Sequence, residues 1–191
     1  MPQTGGFVLA SASPRRLDLL ATIGLTPDRV APADINEDPI PGELARAHAL
    51  RLACEKALAV HAPGTVVLAA DTVVAVGRRI LPKTEQRREA EDCLRLMSGR
   101  SHRVYTGVCV IDADGLSRDR ISETRLKMKR LSEDELIGYL DSGEWRGKAG
   151  GYGIQGRAGA FITHLSGSYT GVVGLPVYET RNLLTAAGVS A

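Results

Sequence analysis

The chain has 191 residues, of which 43% are hydrophobic and 24% charged, and its net charge is +2. These values predict a single globular domain over residues 1–191 and give no reason to expect binding to nucleic acid or to a membrane. The sequence shows no signal-peptide pattern and no apolar run of about 18 residues, so we expect a cytoplasmic protein. Cys54, Cys93 and Cys109 lack metal-binding or redox spacing, which predicts reduced thiols.

The first half of the chain alternates predicted strands and helices. Ser13 as N-cap, Pro14 at the first helical position and Gly24 beyond the end delimit a helix that follows a short buried strand. The remaining elements predicted here are a helix over 43 to about 61, an apolar strand over 65–76 and a hairpin turn at 77–79.

The second half contains a long predicted hairpin between helices. Ser132 and Glu135 have the spacing of a capping box, which predicts a helix through Leu140. The other predicted elements are a helix over 85–97, hairpin strands over 102–112 and 116–130, a strand over 160–165 and a helix from 176 to about 187. Interleaved helices with an antiparallel hairpin favour an α/β fold with a mixed sheet.

The first candidate site is the run Ser11-Ala12-Ser13-Pro14-Arg15-Arg16. It brings two hydroxyls and two guanidinium groups to a helix N-terminus, where free N–H groups and the helix dipole favour a phosphate. An N-cap serine followed by two solvated arginines explains the same residues equally well.

Two charged residues interrupt apolar patterns. Asp71 lies inside the apolar strand over 65–76, and a carboxylate there must meet a positive group or lie at the end of the strand. A functional role for Asp71 is the favoured interpretation, and the alternative is a bulge or strand end that merely exposes this residue. Lys56 falls on the apolar stripe of the helix over 43–61, where it either extends to solvent or meets an anion.

A glycine-rich segment over 148–156 contains Gln155, an amide suited to reading a base edge. A flexible linker is the alternative, although Tyr152 and Ile154 are poor linker residues. The basic run over 125–129 alternates with apolar residues and is typical of a strand with one exposed face. The four histidines have no metal-ligand spacing.

Five motifs occur in the order found in Maf proteins, and they cover most of the chain. They are Ser11-Ala12-Ser13-Pro14-Arg15-Arg16, Ala70-Asp71-Thr72, Ser98-Gly99-Arg100-Ser101-His102, the segment over 148–156 and Gly174-Leu175-Pro176. The sequence therefore resembles the Maf family. That resemblance implies an inosine triphosphatase-like fold, in which helices flank an elongated mixed sheet and a cleft separates two lobes. It also implies a homodimeric nucleoside triphosphate pyrophosphatase that depends on a divalent cation, Mg²⁺ or Mn²⁺.

The resemblance also assigns roles to individual residues. Asp71 matches the proton acceptor, and Arg16, Thr72 and Gln155 match the subgroup that prefers dTTP and UTP over 7-methyl-GTP. Phosphate-binding roles fall on Ser11, Ser13, Arg15, Lys56 and Lys83, and metal-binding roles on Glu37 and Asp71. Lys83 lies in Pro82-Lys83-Thr84, where the family usually has Gly-Lys-Pro, so we expect a different local backbone there.

The expected reaction converts dTTP or UTP into the monophosphate and pyrophosphate, with modified pyrimidine nucleotides as open alternatives. A nucleotide-binding regulator of cell division or septum formation is the main rival, and an acidic residue among cations favours the enzyme. The missing Walker and kinase motifs argue against a kinase or transferase.

Overall fold

The computed structural model describes residues 6–190. Its strands are β1 (Phe7–Leu9), β2 (Arg29–Val30), β3 (Val66–Val76), β4 (Arg79–Leu81), β5 (Lys83–Thr84), β6 (Ser101–Ile111), β7 (Ser117–Met128), β8 (Lys148–Ala149) and β9 (Ile162–Ser166). Its α-helices are α1 (Pro14–Thr22), α2 (Ala45–Val60), α3 (Arg87–Met97), α4 (Glu133–Ser142), α5 (Tyr169–Val173) and α6 (Val177–Ala186). A 3₁₀ helix covers Arg157–Phe161.

A mixed seven-stranded sheet runs through the molecule in the order β2-β1-β3-β6-β7-β9, and β4 also pairs with β3. β1 is parallel to β2 and β3, and the other pairs in this sheet are antiparallel. β5 and β8 form a separate two-stranded sheet. The prediction of a mixed α/β fold is confirmed.

The two faces of β3 belong to different packing layers. Leu68 and Ala70 pack in a core with Leu20 of α1 and Leu184 of α6. Val67 and Ala69 pack instead with α2. Side chains alternate across a strand, and because both faces of β3 are covered its sequence is almost continuously apolar.

Gly107 of β6 allows α2 to lie directly on the sheet. A Cβ atom at this position would lie 2.5 Å from the carbonyl oxygen of Ala49, closer than carbon and oxygen can approach. Gly107 is paired in register with Asp71 of β3. The missing side chain therefore brings α2 close to the sheet at the level of Asp71.

A second core lies beyond the middle of β3. Val74 and Leu81 pack there with residues of α3 and α4, and with Trp145 and Phe161. The molecule thus has two lobes that share β3 and β6.

Most predicted elements are confirmed with small shifts at their ends. The predicted helix over 43–61 begins at Ala45, because Glu43 still belongs to the preceding turn, where its amide donates to the Ile40 carbonyl at 2.9 Å. The predicted strand over 160–165 begins at Ile162, since the preceding residues form the 3₁₀ helix. The sequence prediction missed β2, β5, β8 and α5, each of five residues or fewer.

Exposed and buried residues alternate along the end of β7, as predicted for the basic run over 125–129. None of the helices in residues 6–190 combines the length and the apolar character that crossing a bilayer requires.

Candidate active site

The candidate site lies at a gap in the edge of β3. β1 pairs with β3 only as far as Leu68, and β4 begins to pair at Val74. Asp71 and Thr72 lie between these two points, so neither β1 nor β4 covers the edge of β3 there. Because α/β sheets bind ligands beyond the carboxyl ends of their strands, the gap beyond the end of β1 is the expected place for a site.

A cavity of about 410 Å³ opens at this gap. Of the residues assigned from the sequence, all but Asp71 line it directly: Ser11, Ser13, Arg15, Arg16, Glu37, Lys56, Thr72, Lys83 and Gln155. Asp71 contacts Lys56, one of the lining residues. The structure therefore brings together every predicted site residue, although they come from segments far apart in the chain.

An ion-pair cluster of Glu37, Lys56, Asp71 and Lys83 occupies one side of the cavity. The Lys56 Nζ lies 2.6 Å from Asp71 Oδ1 and 2.6 Å from Glu37 Oε1. Lys83 pairs with the other Glu37 oxygen. Lys56 and Asp71 are only 6% and 2% exposed, so Lys56 meets an anion rather than extending to solvent. Removing one partner of a buried ion pair of this kind destabilises a protein by about 3–5 kcal/mol, because the other charge stays buried without a partner.

The charge of Glu37 is strongly favoured in this cluster. Burial raises the pKa of its carboxyl group, but the hydrogen bonds from Lys56 and Lys83 outweigh this effect and lower the pKa to about 2. Glu37 is therefore a carboxylate at any physiological pH.

The Asp71 carboxylate keeps one oxygen free of protein donors. Oδ1 accepts from Lys56, and no second hydrogen bond to this carboxylate is found among residues 6–190. Oδ2 is thus an acceptor without a protein partner, as a group that takes a proton from water requires.

The start of α1 forms the neighbouring wall. Ser13 is at the N-cap position, as predicted, but its side chain makes no capping hydrogen bond. Arg16 is held by three bonds, from Nε to the Gly174 carbonyl at 2.9 Å, from Nη1 to Ser11 Oγ at 2.9 Å and from Nη2 to Thr72 Oγ1 at 3.5 Å. The interpretation of two solvated arginines is therefore wrong for Arg16.

The Arg15 side chain makes no hydrogen bond or ion pair with any other residue in the range 6–190, and it lines the cavity. Burial lowers the pKa of its guanidinium group, and the same effect lowers that of Arg16. A guanidinium keeps its charge under such conditions. Arg15 is thus a cation available for a phosphate group.

A hydroxyl chain made of Thr72, Thr106 and the Gly171 carbonyl lies on the opposite face of β3 from Asp71. The oxygens of Thr72 and Thr106 are 3.0 Å apart, and Thr106 Oγ1 donates to the carbonyl of Gly171 in α5 at 2.7 Å. Thr106 is 1% exposed, whereas Thr72 reaches the cavity. The sequence prediction missed Thr106, because its partner Gly171 lies 65 residues away in the chain.

The glycine-rich segment is part of the folded structure, so the linker interpretation is wrong. β8 pairs with β5, and Tyr152 is buried with its hydroxyl 2.6 Å from His102 Nε2. Gly151 has a φ of +72°, and a Cβ there would press on Ala90, so both conformation and space require glycine. Gln155 is exposed at the cavity wall.

Two cations to which the sequence assigned no role lie in or just before this segment. Arg146 and Lys148 line the cavity. Lys148 belongs to the glycine-rich motif, and burial lowers the pKa of its ammonium group. Arg146 precedes the motif and carried no signal of its own.

Lys83 is held next to Glu37 by the small sheet. It pairs with Ala149, and Thr84 donates to the Trp145 carbonyl at 2.9 Å. The buried Thr84 hydroxyl thus fixes the backbone where the chain departs from the usual Gly-Lys-Pro.

Glu37 and Asp71 fit a divalent cation shared with a substrate. Their oxygens approach one cationic atom, Lys56 Nζ, at the same 2.6 Å. Mg²⁺ typically binds one or two protein carboxylates together with substrate phosphates. In the part of the chain that the structure describes, no group of three or more His, Cys, Asp or Glu side chains has the arrangement to hold a metal ion by itself.

Comparisons with known proteins agree with this geometry. The family described as "Maf-like protein" matches residues 6–187. A Caulobacter vibrioides protein named dTTP/UTP pyrophosphatase is 64% identical over 184 residues, which is 95% of each chain. A Maricaulis maris protein of the same name is 62% identical over 95% of this chain and 88% of its own.

The solved structure of a HAM1 protein from Coxiella burnetii has the same fold. It covers 95% of this chain and 98% of its own, with a TM-score of 0.51 and 17% identity. At that identity the likeness concerns the fold alone.

Proposed function

Because the chain belongs to the Maf family, we propose that it hydrolyses dTTP and UTP to the monophosphate and pyrophosphate. The observation that carries this proposal is the position of the buried Asp71 carboxylate beside several cations at the gap in β3. Relatives named dTTP/UTP pyrophosphatase, at 62–64% identity over nearly the full length, support the same substrates.

The cations account for binding of a triphosphate. A nucleoside triphosphate carries about four negative charges, so its cleavage depends above all on charge neutralisation and positioning. Arg15, Lys56 and Lys83 bind phosphate oxygens in this proposal, and the Ser11 and Ser13 hydroxyls donate to them. Glu37 and Asp71 would hold Mg²⁺ or Mn²⁺, which would supply further positive charge to the substrate phosphates.

Asp71 accepts the proton of the attacking water. Its Oδ2 has no protein donor, while Lys56 fixes Oδ1 and so orients the carboxylate. A base in this position needs only hydrogen-bond reach to the water. The proton leaves the water as its oxygen bonds to phosphorus, and pyrophosphate departs when the bond between the α and β phosphates breaks.

The pyrimidine base is recognised on the Thr72 side of the cavity, on the face of β3 opposite Asp71. Arg16, Thr72 and Gln155 offer a guanidinium, a hydroxyl and an amide, which together match the carbonyl and N–H groups of uracil and thymine. Bases that present another pattern leave these groups unpaired and are rejected.

Product analysis tests the proposal. The protein is incubated with dTTP, UTP, CTP and ATP in the presence of Mg²⁺ or Mn²⁺, and nucleotides and phosphates are separated by anion exchange. We expect monophosphate and pyrophosphate in equal amounts, with dTTP and UTP as the preferred substrates. Diphosphate and orthophosphate as main products would overturn the proposal, and binding without turnover would favour a regulator. The homodimer and the cytoplasmic location stay predictions, which light scattering and cell fractionation test.

A further inference from the structure

The hydroxyl chain of Thr72, Thr106 and the Gly171 carbonyl contains a fixed order of donors and acceptors. A threonine hydroxyl carries one proton and can donate only once. The Gly171 carbonyl can only accept, and Thr106 Oγ1 lies 2.7 Å from it. Thr106 is 1% exposed, so no solvent competes for this proton.

Thr106 therefore donates its hydroxyl proton to the Gly171 carbonyl, and this determines the direction of the hydrogen bond between Thr106 and Thr72. Thr72 and Thr106 are 3.0 Å apart, and one of them must donate. Since the Thr106 proton is committed, Thr72 donates to Thr106. Only the lone pairs of Thr72 Oγ1 then remain for the cavity.

The contact with Arg16 is compatible with this polarity. Its Nη2 approaches Thr72 Oγ1 at 3.5 Å, and a guanidinium has donors but no acceptors. Among residues 6–190, Thr72 Oγ1 has hydrogen-bond contacts with Arg16 and Thr106 alone. Arg16 uses one lone pair of this oxygen, and the other lone pair faces the cavity. Thr106 and Thr72 are also paired in register on adjacent strands, which fixes their separation.

We infer that Thr106, a positioning residue, makes Thr72 an obligatory hydrogen-bond acceptor toward the cavity and so selects uracil and thymine against cytosine. This inference rests on the proposed function. Uracil and thymine carry an N3–H donor between two carbonyls, whereas cytosine has an unprotonated N3 beside an amino group. An acceptor-only Thr72 pairs with the N3–H of uracil and faces a lone pair in cytosine.

The experiment compares UTP with CTP in the Thr106→Val and Thr106→Ser variants. Valine keeps the shape but removes the hydroxyl, so Thr72 can rotate its proton toward the cavity and donate to cytosine N3. We expect the ratio of kcat/KM for UTP to that for CTP to fall at least about tenfold, because a wrongly paired polar group is what produces such discrimination. Thr106→Ser retains the hydroxyl and should keep the ratio of the parent.

A Thr72→Val background shows whether Thr106 acts through Thr72. In this background, adding Thr106→Val should not change the ratio of kcat/KM for UTP to that for CTP from its value in Thr72→Val alone. Equal loss of activity on UTP and CTP in Thr106→Val, an unchanged ratio, or a further change in the Thr72→Val background would each overturn the inference. Melting temperatures identify loss of folding, and Thr106→Ala replaces Thr106→Val if the latter does not fold.

Binding measurements separate this inference from the proposed function. Calorimetry with UTP and CTP analogues that carry a methylene between the α and β phosphates gives the base preference without turnover. If the parent protein releases no pyrophosphate, the proposed function fails, and the binding ratios still test Thr106. If it does release pyrophosphate and Thr106→Val binds the two analogues in the parent's ratio, the inference alone fails.

Discussion

Asp71 and Thr72 are neighbours in the chain but belong to different environments. Asp71 points toward α2 and joins the ion-pair cluster, where oxygen and nitrogen lie 2.6 Å apart. Thr72 points to the other face and joins the hydroxyl chain of neutral groups. Since side chains alternate along a strand, two adjacent residues at the gap in β3 supply both faces of one cavity.

This contrast separates two kinds of effect. In the proposed function, charges act on the phosphates, which every nucleotide shares, whereas the neutral groups act on the base. Changes in the ion-pair cluster should therefore lower activity on all nucleotides together. Changes on the Thr72 face should alter the ratio between nucleotides.

Asp71→Asn should have the largest effect. The amide keeps the size of the side chain but cannot take a proton, so kcat should fall about a hundredfold or more on every nucleotide. Nucleotide binding should persist, because the phosphate-binding cations remain. Steady-state kinetics with dTTP and UTP and calorimetry with unhydrolysed analogues measure the two effects.

Asp141→Asn is the matched control for this substitution. Asp141 pairs with Arg87 on an exposed surface, where an ion pair contributes only about 0–1 kcal/mol. Its removal should leave kinetics and melting temperature near those of the parent. Activity of Asp71→Asn within a few-fold of the parent would show that another group accepts the proton.

Gln155→Glu should have a smaller effect and a selective one. The substitution removes both amide donors and adds a negative charge next to the pyrimidine carbonyls. Activity on dTTP and UTP should fall by about 1–3 kcal/mol in transition-state free energy, the range for one lost bidentate contact. Activity on 7-methyl-GTP, whose base is cationic, should fall less.

Specificity constants for the three nucleotides test this prediction, with Gln86→Glu as a control that adds the same charge at an exposed site outside the cavity. An equal decrease on all three nucleotides would mean that Gln155 positions the phosphates or the backbone. The separation of phosphate binding on one side of the cavity from base recognition on the other would then be wrong.

The sequence predicted the fold well because its main strands are long. An apolar run such as β3 can hardly be anything but a buried strand, and the capping box at Ser132 is present as predicted, with its side chain accepting from the Glu135 amide. The motifs also named the residues that line the cavity. What the sequence left open was which of them touch, for example whether Lys56 meets an anion.

The missing information concerns contacts between distant parts of the chain. Thr106 bonds to Gly171, and Thr84 to Trp145, across 65 and 61 residues. Neither threonine stands out by its local pattern, since threonine is common in strands. Short elements such as β5 and β8 depend on pairing between segments that are far apart in the chain, so local propensity does not reveal them.

Lys83→Gln should have the smallest effect and provides the finest test of the contrast. The Lys83 side chain is 48% exposed and pairs with Glu37, whose charge Lys56 also holds. An exposed pair contributes about 0–1 kcal/mol to stability, so the melting temperature should hardly change. Glutamine can still donate a hydrogen bond to a phosphate oxygen but carries no charge. We therefore expect kcat/KM to fall about tenfold or less, by the same factor for dTTP, UTP and CTP.

Lys127→Gln is the matched control for Lys83→Gln, since Lys127 lies on the exposed face of β7 and loses the same charge away from the cavity. If Lys83→Gln behaves like this control, Lys83 only balances Glu37 and does not bind phosphate. If Lys83→Gln instead changes the ratio of kcat/KM for UTP to that for CTP, a charge on the phosphate side of the cavity influences base selection. The ion-pair cluster and the hydroxyl chain would then act as one coupled unit across β3, because the Arg16 guanidinium bonds to Thr72 and its pKa responds to the charge of Asp71. A uniform decrease on all three nucleotides is the result expected if alternation along β3 keeps the two functions apart.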